Sequence, residues 1–148
     1  MTVTPPARAT VFQLVNRKSG KAVDVPGAST AAGTGLIQYT PSSAANQRFR
    51  FTPVGGDVHE IGCTHTSLAW DVSGGSTADG ARLIQWTPTH GTNQQWRITD
   101  TGDGYVTITS VRSGKVLGVT GGSTADQAPV EQQTANGGTA QQWRRIPA

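Results

Sequence analysis

The sequence predicts an all-β domain in which three like units close around one core, on the strength of three observations. One stretch recurs at a constant offset of 47 residues: LIQWTPTHGTNQQW at 83–96 is matched by LIQYTPSSAANQRF at 36–49 and by VEQQTANGGTAQQW at 130–143. Nineteen glycines, eight prolines and only 14% charged residues, among many Thr, Ser, Val and Gln, suit short strands and turns better than amphipathic helices. A length of 148 residues is that of one ordinary domain, enough to bury a core without metals or disulfides.

Asp24, Asp71 and Gly118 stand in register, as do Gln47, Gln94 and Gln141, with no gap between copies. The repeats therefore run from Val11 to Asp57, Val58 to Gly104 and Tyr105 to Ala148. Residues 1–10, rich in Thr, Pro and Ala, read as a tail or the remnant of a linker. Each repeat carries four short strands. The first holds Val11, Leu14 and Val15, matched by Val58 and Ile61 and by Val106 and Ile108. The second spans Ala22 to Val25, Ala69 to Val72 and Val116 to Val119, and ends at a Gly/Ser/Thr turn. The third is Leu36 to Thr40 and its equivalents. The fourth is expected to start at Gln47, Gln94 and Gln141, after a loop opened by Pro41 in the first repeat and Pro88 in the second. Strands this short cannot each bury a sheet face, so the units must share a core, and closure removes exposed edges. A propeller takes roughly four or more blades. A β-trefoil, or a β-prism of three sheets, remains.

The net charge of +3 does not make a nucleic-acid binder, because Arg50, Arg97 and Arg144 occupy equivalent places in the repeats and would be spread around the molecule. Cys63 is the only cysteine, which rules out an intrachain disulfide. His59, His65 and His90 neither repeat nor stand at metal-ligand spacing, so no metal and no cofactor is expected. The N-terminus shows no apolar run suited to a signal peptide or a membrane insertion. The expectation is an extracellular module of a longer secreted chain, or a cytoplasmic protein if the chain is complete.

Gln94-Gln95-Trp96, Gln141-Gln142-Trp143 and the variant Gln47-Arg48-Phe49 resemble the Gln-x-Trp signature of ricin-B-type lectins and the related family 13 carbohydrate-binding modules. The resemblance spans residues 11–148 and implies a β-trefoil with three pseudo-symmetric repeats. In many relatives a disulfide links two positions of each repeat; here those places hold Ala22 and Pro41, Ala69 and Pro88, Val116 and Ala135. Stability is left to packing.

A neutral sugar needs oriented polar groups for its hydroxyls and a flat apolar surface for its C–H face. The second repeat offers Asp71, Trp86, Asn93 and Gln94, and the first Asp24, Tyr39, Asn46 and Gln47. The resemblance implies one shallow pocket per repeat, in which the Asp takes hydroxyls, the aromatic stacks, the Asn bonds a hydroxyl and the Gln holds the Asp. Gly27 and Gly74 permit close approach of backbone to ligand. The third repeat has Gly118, Gln133, Ala140 and Gln141 instead: it keeps Val119, Gly121, Ser123, Thr124, Gln141 and Trp143 and loses the three ligand groups together. That contrast separates scaffold from site. Trp96 and Trp143 belong to the core, and Trp70 points inward. His90 lies in the loop beside the second pocket, within reach of a further sugar unit.

The expected function is non-catalytic binding of a glycan or polysaccharide, galactoside or xylose-type, through two pockets with a silent third. A catalytic domain could belong to a longer parent chain. An enzyme is disfavoured, since glycosidases pair two carboxylates about 5–10 Å apart and no nucleophile motif occurs. The alternative is a protein-binding trefoil, an inhibitor or toxin subunit, with relic pockets.

Overall fold

The computed structural model describes residues 10–148. The tail assigned to residues 1–10 falls outside the described residues except for Thr10, which opens the first strand. Twelve strands follow in three sets of four. The first set is β1 (Thr10–Asn16), β2 (Ala22–Asp24), β3 (Ile37–Tyr39) and β4 (Phe49–Gly55). The second is β5 (Val58–Cys63), β6 (Ala69–Val72), β7 (Leu83–Trp86) and β8 (Trp96–Asp100). The third is β9 (Val106–Ser110), β10 (Val116–Val119), β11 (Val130–Gln133) and β12 (Trp143–Pro147).

Strands β1, β4, β5, β8, β9 and β12 pair antiparallel in that order, and β12 returns to β1. The ring is a closed six-stranded barrel. Each remaining pair, β2–β3, β6–β7 and β10–β11, forms a hairpin over one end. Single bridges join the hairpins at Gly35–Ile84, Ile37–Pro129 and Arg82–Glu131. All strand edges that short strands would leave exposed are thereby largely shared around a β-trefoil.

Alternation along the barrel strands sends Leu14, Phe49, Phe51, Ile61, Trp96, Ile108 and Trp143 inward, where all are fully buried. Trp70 joins them, edge-on to Phe49 and Trp96 with ring centroids 4.9 and 6.4 Å away. The indoles of Trp96 and Trp143 donate to the carbonyls of Trp70 and Leu117 at 3.3 and 3.1 Å, satisfying the polar atom that burial would otherwise strand.

The fourth strands begin at Phe49, Trp96 and Trp143, two residues later than the sequence suggested. Gln47, Gln94 and Gln141 instead close tight helical turns (Ala45–Gln47, Thr92–Gln94, Thr139–Gln141), because their buried side chains bond loop backbone rather than extend a strand. A second buried set ties the repeats together. The amides of Gln38, Gln85 and Gln132, all 0% exposed, donate to pairs of carbonyls in a neighbouring repeat: Ser123 and Ala125, Ser29 and Ala31, Ser76 and Ala78.

Candidate binding sites

The second and third strands of each repeat place their residues by alternation. Asp24 ends β2 and Asp71 lies in β6, and across the hairpins Ile37 and Tyr39, or Ile84 and Trp86, face the same side. The chain then turns at Gly27 and Gly74, with φ of 63° and 65°, a left-handed conformation that glycine adopts without a Cβ penalty. The turn brings backbone under the Asp and opens a cleft.

In the first repeat the cleft is about 740 Å³ and is lined by Asp24, Gly27, Ile37, Tyr39 and Asn46, among others. Asp24 is 6% exposed. Its Oδ2 accepts from Gln47 Nε2 at 2.9 Å and, more distantly, from Asn46 Nδ2 at 3.4 Å. Asn46 Nδ2 also reaches the Val25 carbonyl at 3.1 Å. Oδ1 accepts no hydrogen bond from the described residues. Burial raises the carboxyl above its ordinary value, against the bond from Gln47 and the nearby charge of His65, which favour the ionised form.

The second cleft, about 570 Å³, is lined by Asp71, Gly74, Ile84, Trp86 and Asn93, with Gly33 and Arg112 from the other repeats. Asp71 Oδ2 accepts from Gln94 Nε2 at 2.8 Å and Asn93 Nδ2 at 3.2 Å, again leaving Oδ1 without a partner among the described residues. Burial raises this carboxyl too, against the bonds from Gln94 and Asn93. Tyr39 and Trp86 are 40% and 43% exposed, so both rings present a face to solvent. Each cleft thus joins a fixed, half-free carboxylate to an uncovered aromatic ring.

Gln47 and Gln94, counted with the binding residues from the sequence, do not line the cleft of their own Asp. Each is 1% exposed and works from behind. Gln47 donates to Asp24 and the Thr40 carbonyl, and its oxygen accepts from the Ser42 amide at 2.7 Å. Gln94 repeats the pattern with Asp71, Thr87 and Thr89. They fix the carboxylate and the loop at once.

The third repeat is sealed by its own side chain. Gln133, at the aromatic position, turns inward, and its oxygen accepts from Gln141 Nε2 at 2.9 Å as Asp24 does from Gln47. Its amide donates to the Val119 carbonyl at 3.1 Å, the bond that Asn46 makes to Val25. A Cβ on Gly118 would overlap Gln133 Oε1 and lie 2.9 Å from its Cδ, so the missing Asp and the inward glutamine share one space. Glu131, in place of the isoleucine, accepts from the Thr120 hydroxyl.

Each open cleft also draws on neighbouring repeats, which a reading of one repeat at a time missed. Gly33 backs Trp86, where an added Cβ would lie 3.6 Å from Cζ3. Its counterpart at the first cleft is Gln127, a non-glycine residue with φ of 72°. Arg82 from the second repeat lines the first cleft. His65, which the sequence made unremarkable, bonds the Ser29 carbonyl at 3.0 Å near Asp24. The signal available was divergence among the copies: Gln127 departs from Gly33 and Gly80, and Gly35, Arg82 and Pro129 all differ, while scaffold positions agree. His90 does not join the second cleft. Its ring lies 2.9 Å from Glu60, which draws it to the barrel side.

The fold and the paired clefts define the class, and the sequence matches it: the chain belongs to the family described as ricin-type beta-trefoil lectin domain-like, matched over residues 2–86 and 92–148. No curated protein matches the sequence. Among solved structures, the designed three-fold symmetric protein ThreeFoil is 43% identical, with a TM-score of 0.92 covering 93% of this chain and 99% of that one. The exo-beta-1,3-galactanase 1,3Gal43A from Clostridium thermocellum is 36% identical, with a TM-score of 0.91; the match covers 98% of this chain and only 31% of the galactanase. A ricin B-like lectin from Macrolepiota procera, solved with lactose, shares the fold at 21% identity and a TM-score of 0.83, over 98% of this chain and 100% of that one.

Proposed function

We propose that this domain binds glycans without turning them over, through two shallow pockets built on Asp24, Gly27, Tyr39 and Asn46 and on Asp71, Gly74, Trp86 and Asn93, with Gln47 and Gln94 positioning the carboxylates. The observation that carries this reading is the pairing, twice, of a carboxylate oxygen left without a partner and an uncovered aromatic ring, against a third repeat whose Gln133 supplies both bonds internally. A free carboxylate oxygen accepts strong hydrogen bonds from sugar hydroxyls while the ring covers the C–H face. The similarity to part of an exo-beta-1,3-galactanase favours a galactoside over a xylose-type glycan. Galactanase activity does not transfer with it: each cleft is lined by one carboxylate, and glycoside hydrolysis pairs two.

Open clefts of this kind bind weakly one at a time; a Kd on the order of 1 mM corresponds to about −4 kcal/mol. Two clefts on a rigid body gain by avidity on a polymer or a cell surface. The module reading places a catalytic domain elsewhere in a longer chain, and residues 1–10 as its linker. Calorimetric titration of wild type, Asp24→Ala, Asp71→Ala and the double variant against galactose, lactose and xylose tests the assignment. Each single variant is expected to lose one site and the double variant both. Undiminished binding by the folded double variant overturns it.

A further inference from the structure

The first cleft reaches further than its repeat. Gly35, Arg82 and Pro129 occupy the same position in the three repeats, yet all three line this one cleft. Equivalent positions can share a cleft only where the three repeats meet, so the space runs from Asp24 along Tyr39 and Ile37 to the pseudo-threefold axis of the cap. Its extent depends on Gly35. The Arg82 guanidinium lies where a side chain at 35 would start, its Cζ 2.6 Å from the site of a Cβ.

That guanidinium is fixed but not neutralised. One nitrogen donates to the Leu36 carbonyl at 3.3 Å. No carboxylate lies within ion-pair distance of it among the described residues. Glu131, whose backbone bridges Arg82, turns its carboxylate to Thr120 and Gln133. Asp24, on the same cleft, takes Gln47 and Asn46. The cleft therefore has an anionic end for hydroxyls and, at the axis, a cationic end with free planar N–H donors, the group best matched to a carboxylate. The second cleft has a guanidinium of its own, Arg112, but on the turn, 3.2 Å from the position of a Cβ added to Gly75 rather than where the three repeats meet.

Building on the glycan-binding reading, we propose that the first cleft selects an acidic glycan: a neutral sugar unit at Asp24 and Tyr39, and a carboxylate on the adjoining unit held by Arg82.

The test is calorimetry on Asp71→Asn protein, in which the second cleft is silenced, with three probes: lactose, galactosyl-glucuronate and lactose 6-sulfate. Galactosyl-glucuronate is expected to bind roughly tenfold more tightly than lactose, the increment of a charge-assisted hydrogen-bond pair. Arg82→Gln should abolish that advantage, bringing galactosyl-glucuronate down to the affinity of lactose. Gly35→Ala should do the same by displacing the guanidinium, since Gly35 has no left-handed φ to protect. Arg144→Gln, which removes the same charge from β12, should change neither. Equal binding of lactose and galactosyl-glucuronate overturns the inference and leaves sugar binding intact. A preference for the sulfate alone overturns the carboxylate assignment, and failure of all three probes overturns the glycan reading with it.

Discussion

Gly118→Asp restores the acidic residue to the third repeat, and the structure says that alone it will damage the protein. Gly118 lies in β10 with no left-handed φ, so the backbone accepts a side chain. The obstacle is contact: a Cβ there would overlap Gln133 Oε1 and stand 2.9 Å from Gln133 Cδ and 3.1 Å from Gln141 Cγ. Swinging Gln133 out of the way forfeits its bonds to Gln141 and the Val119 carbonyl, and with the close approach to Gln141 Cγ the cost is about 1–3 kcal/mol. At about 2–4 °C per kcal/mol for a domain of this size, Tm should drop by about 2–12 °C. Adding Gln133→Trp and Ala140→Asn removes the occupant and supplies the missing donor, so most of the loss should be recovered. The coupling in a double-mutant cycle between positions 118 and 133 should exceed about 1 kcal/mol. With Glu131→Ile the restored repeat should add a binding site in calorimetry. Thermal unfolding of Gly118→Asp, Gln133→Trp, the pair and the triple variant measures this. Unchanged Tm for Gly118→Asp, or additive effects at 118 and 133, would refute the account of a pocket closed by its own glutamine.

Other outcomes follow from the same geometry. Trp86→Ala and Tyr39→Ala should each weaken ligand binding at their own cleft roughly tenfold, from loss of about 1–1.5 kcal/mol of aromatic contact, with stability within about 0.5 kcal/mol of wild type because both rings are half exposed; calorimetry and thermal melts separate the two. Gln94→Ala should destabilise by about 2–4 kcal/mol, since it strands the Thr87 carbonyl and the Thr89 amide and takes the shorter of the two bonds from Asp71 Oδ2, and a melt unchanged from wild type would contradict it. Burial holds the Asp24 and Asp71 carboxyls above the ordinary 3.8, so affinity should fall as pH is lowered through a range above that value. Stability moves the other way, because a raised folded pKa contributes most below the unfolded value and loses that contribution as pH rises through the folded one. Binding that stays flat down to pH 3.8 would exclude the carboxylates as ligands. Burial also pushes the Cys63 thiol up to about 12, so it should resist thiol reagents until the protein unfolds.

The trefoil was legible because its cause is repetitive: a buried Phe49, Trp96 or Trp143 at one position, and Leu14, Ile61 or Ile108 at another, recur at the offset that closes the barrel. The pairing of Asp with aromatic, and its loss in the third copy, could be read for the same reason. Three things could not. Strand starts were misplaced because the glutamine of the Gln-x-Trp signature spends its amide on loop carbonyls, which pattern alone does not reveal. Gln133 has no signature of an inward rotamer; only the space left by Gly118 dictates it. Arg82 and Gln127 reach a cleft outside their own repeats through the packing of hairpins about the axis, a relation between units rather than within one.

The third strands β3, β7 and β11 carry two messages on alternate residues. Gln38, Gln85 and Gln132 face inward and bolt each hairpin to its neighbour, while Tyr39 and Trp86 face the two open clefts and Gln133 fills the place of the third. Assembly and cleft lining therefore occupy separate reading frames of the same few residues. One cleft position can therefore be altered or filled without touching the bonds that join the hairpins, as two unlike clefts and one filled position in a single chain show.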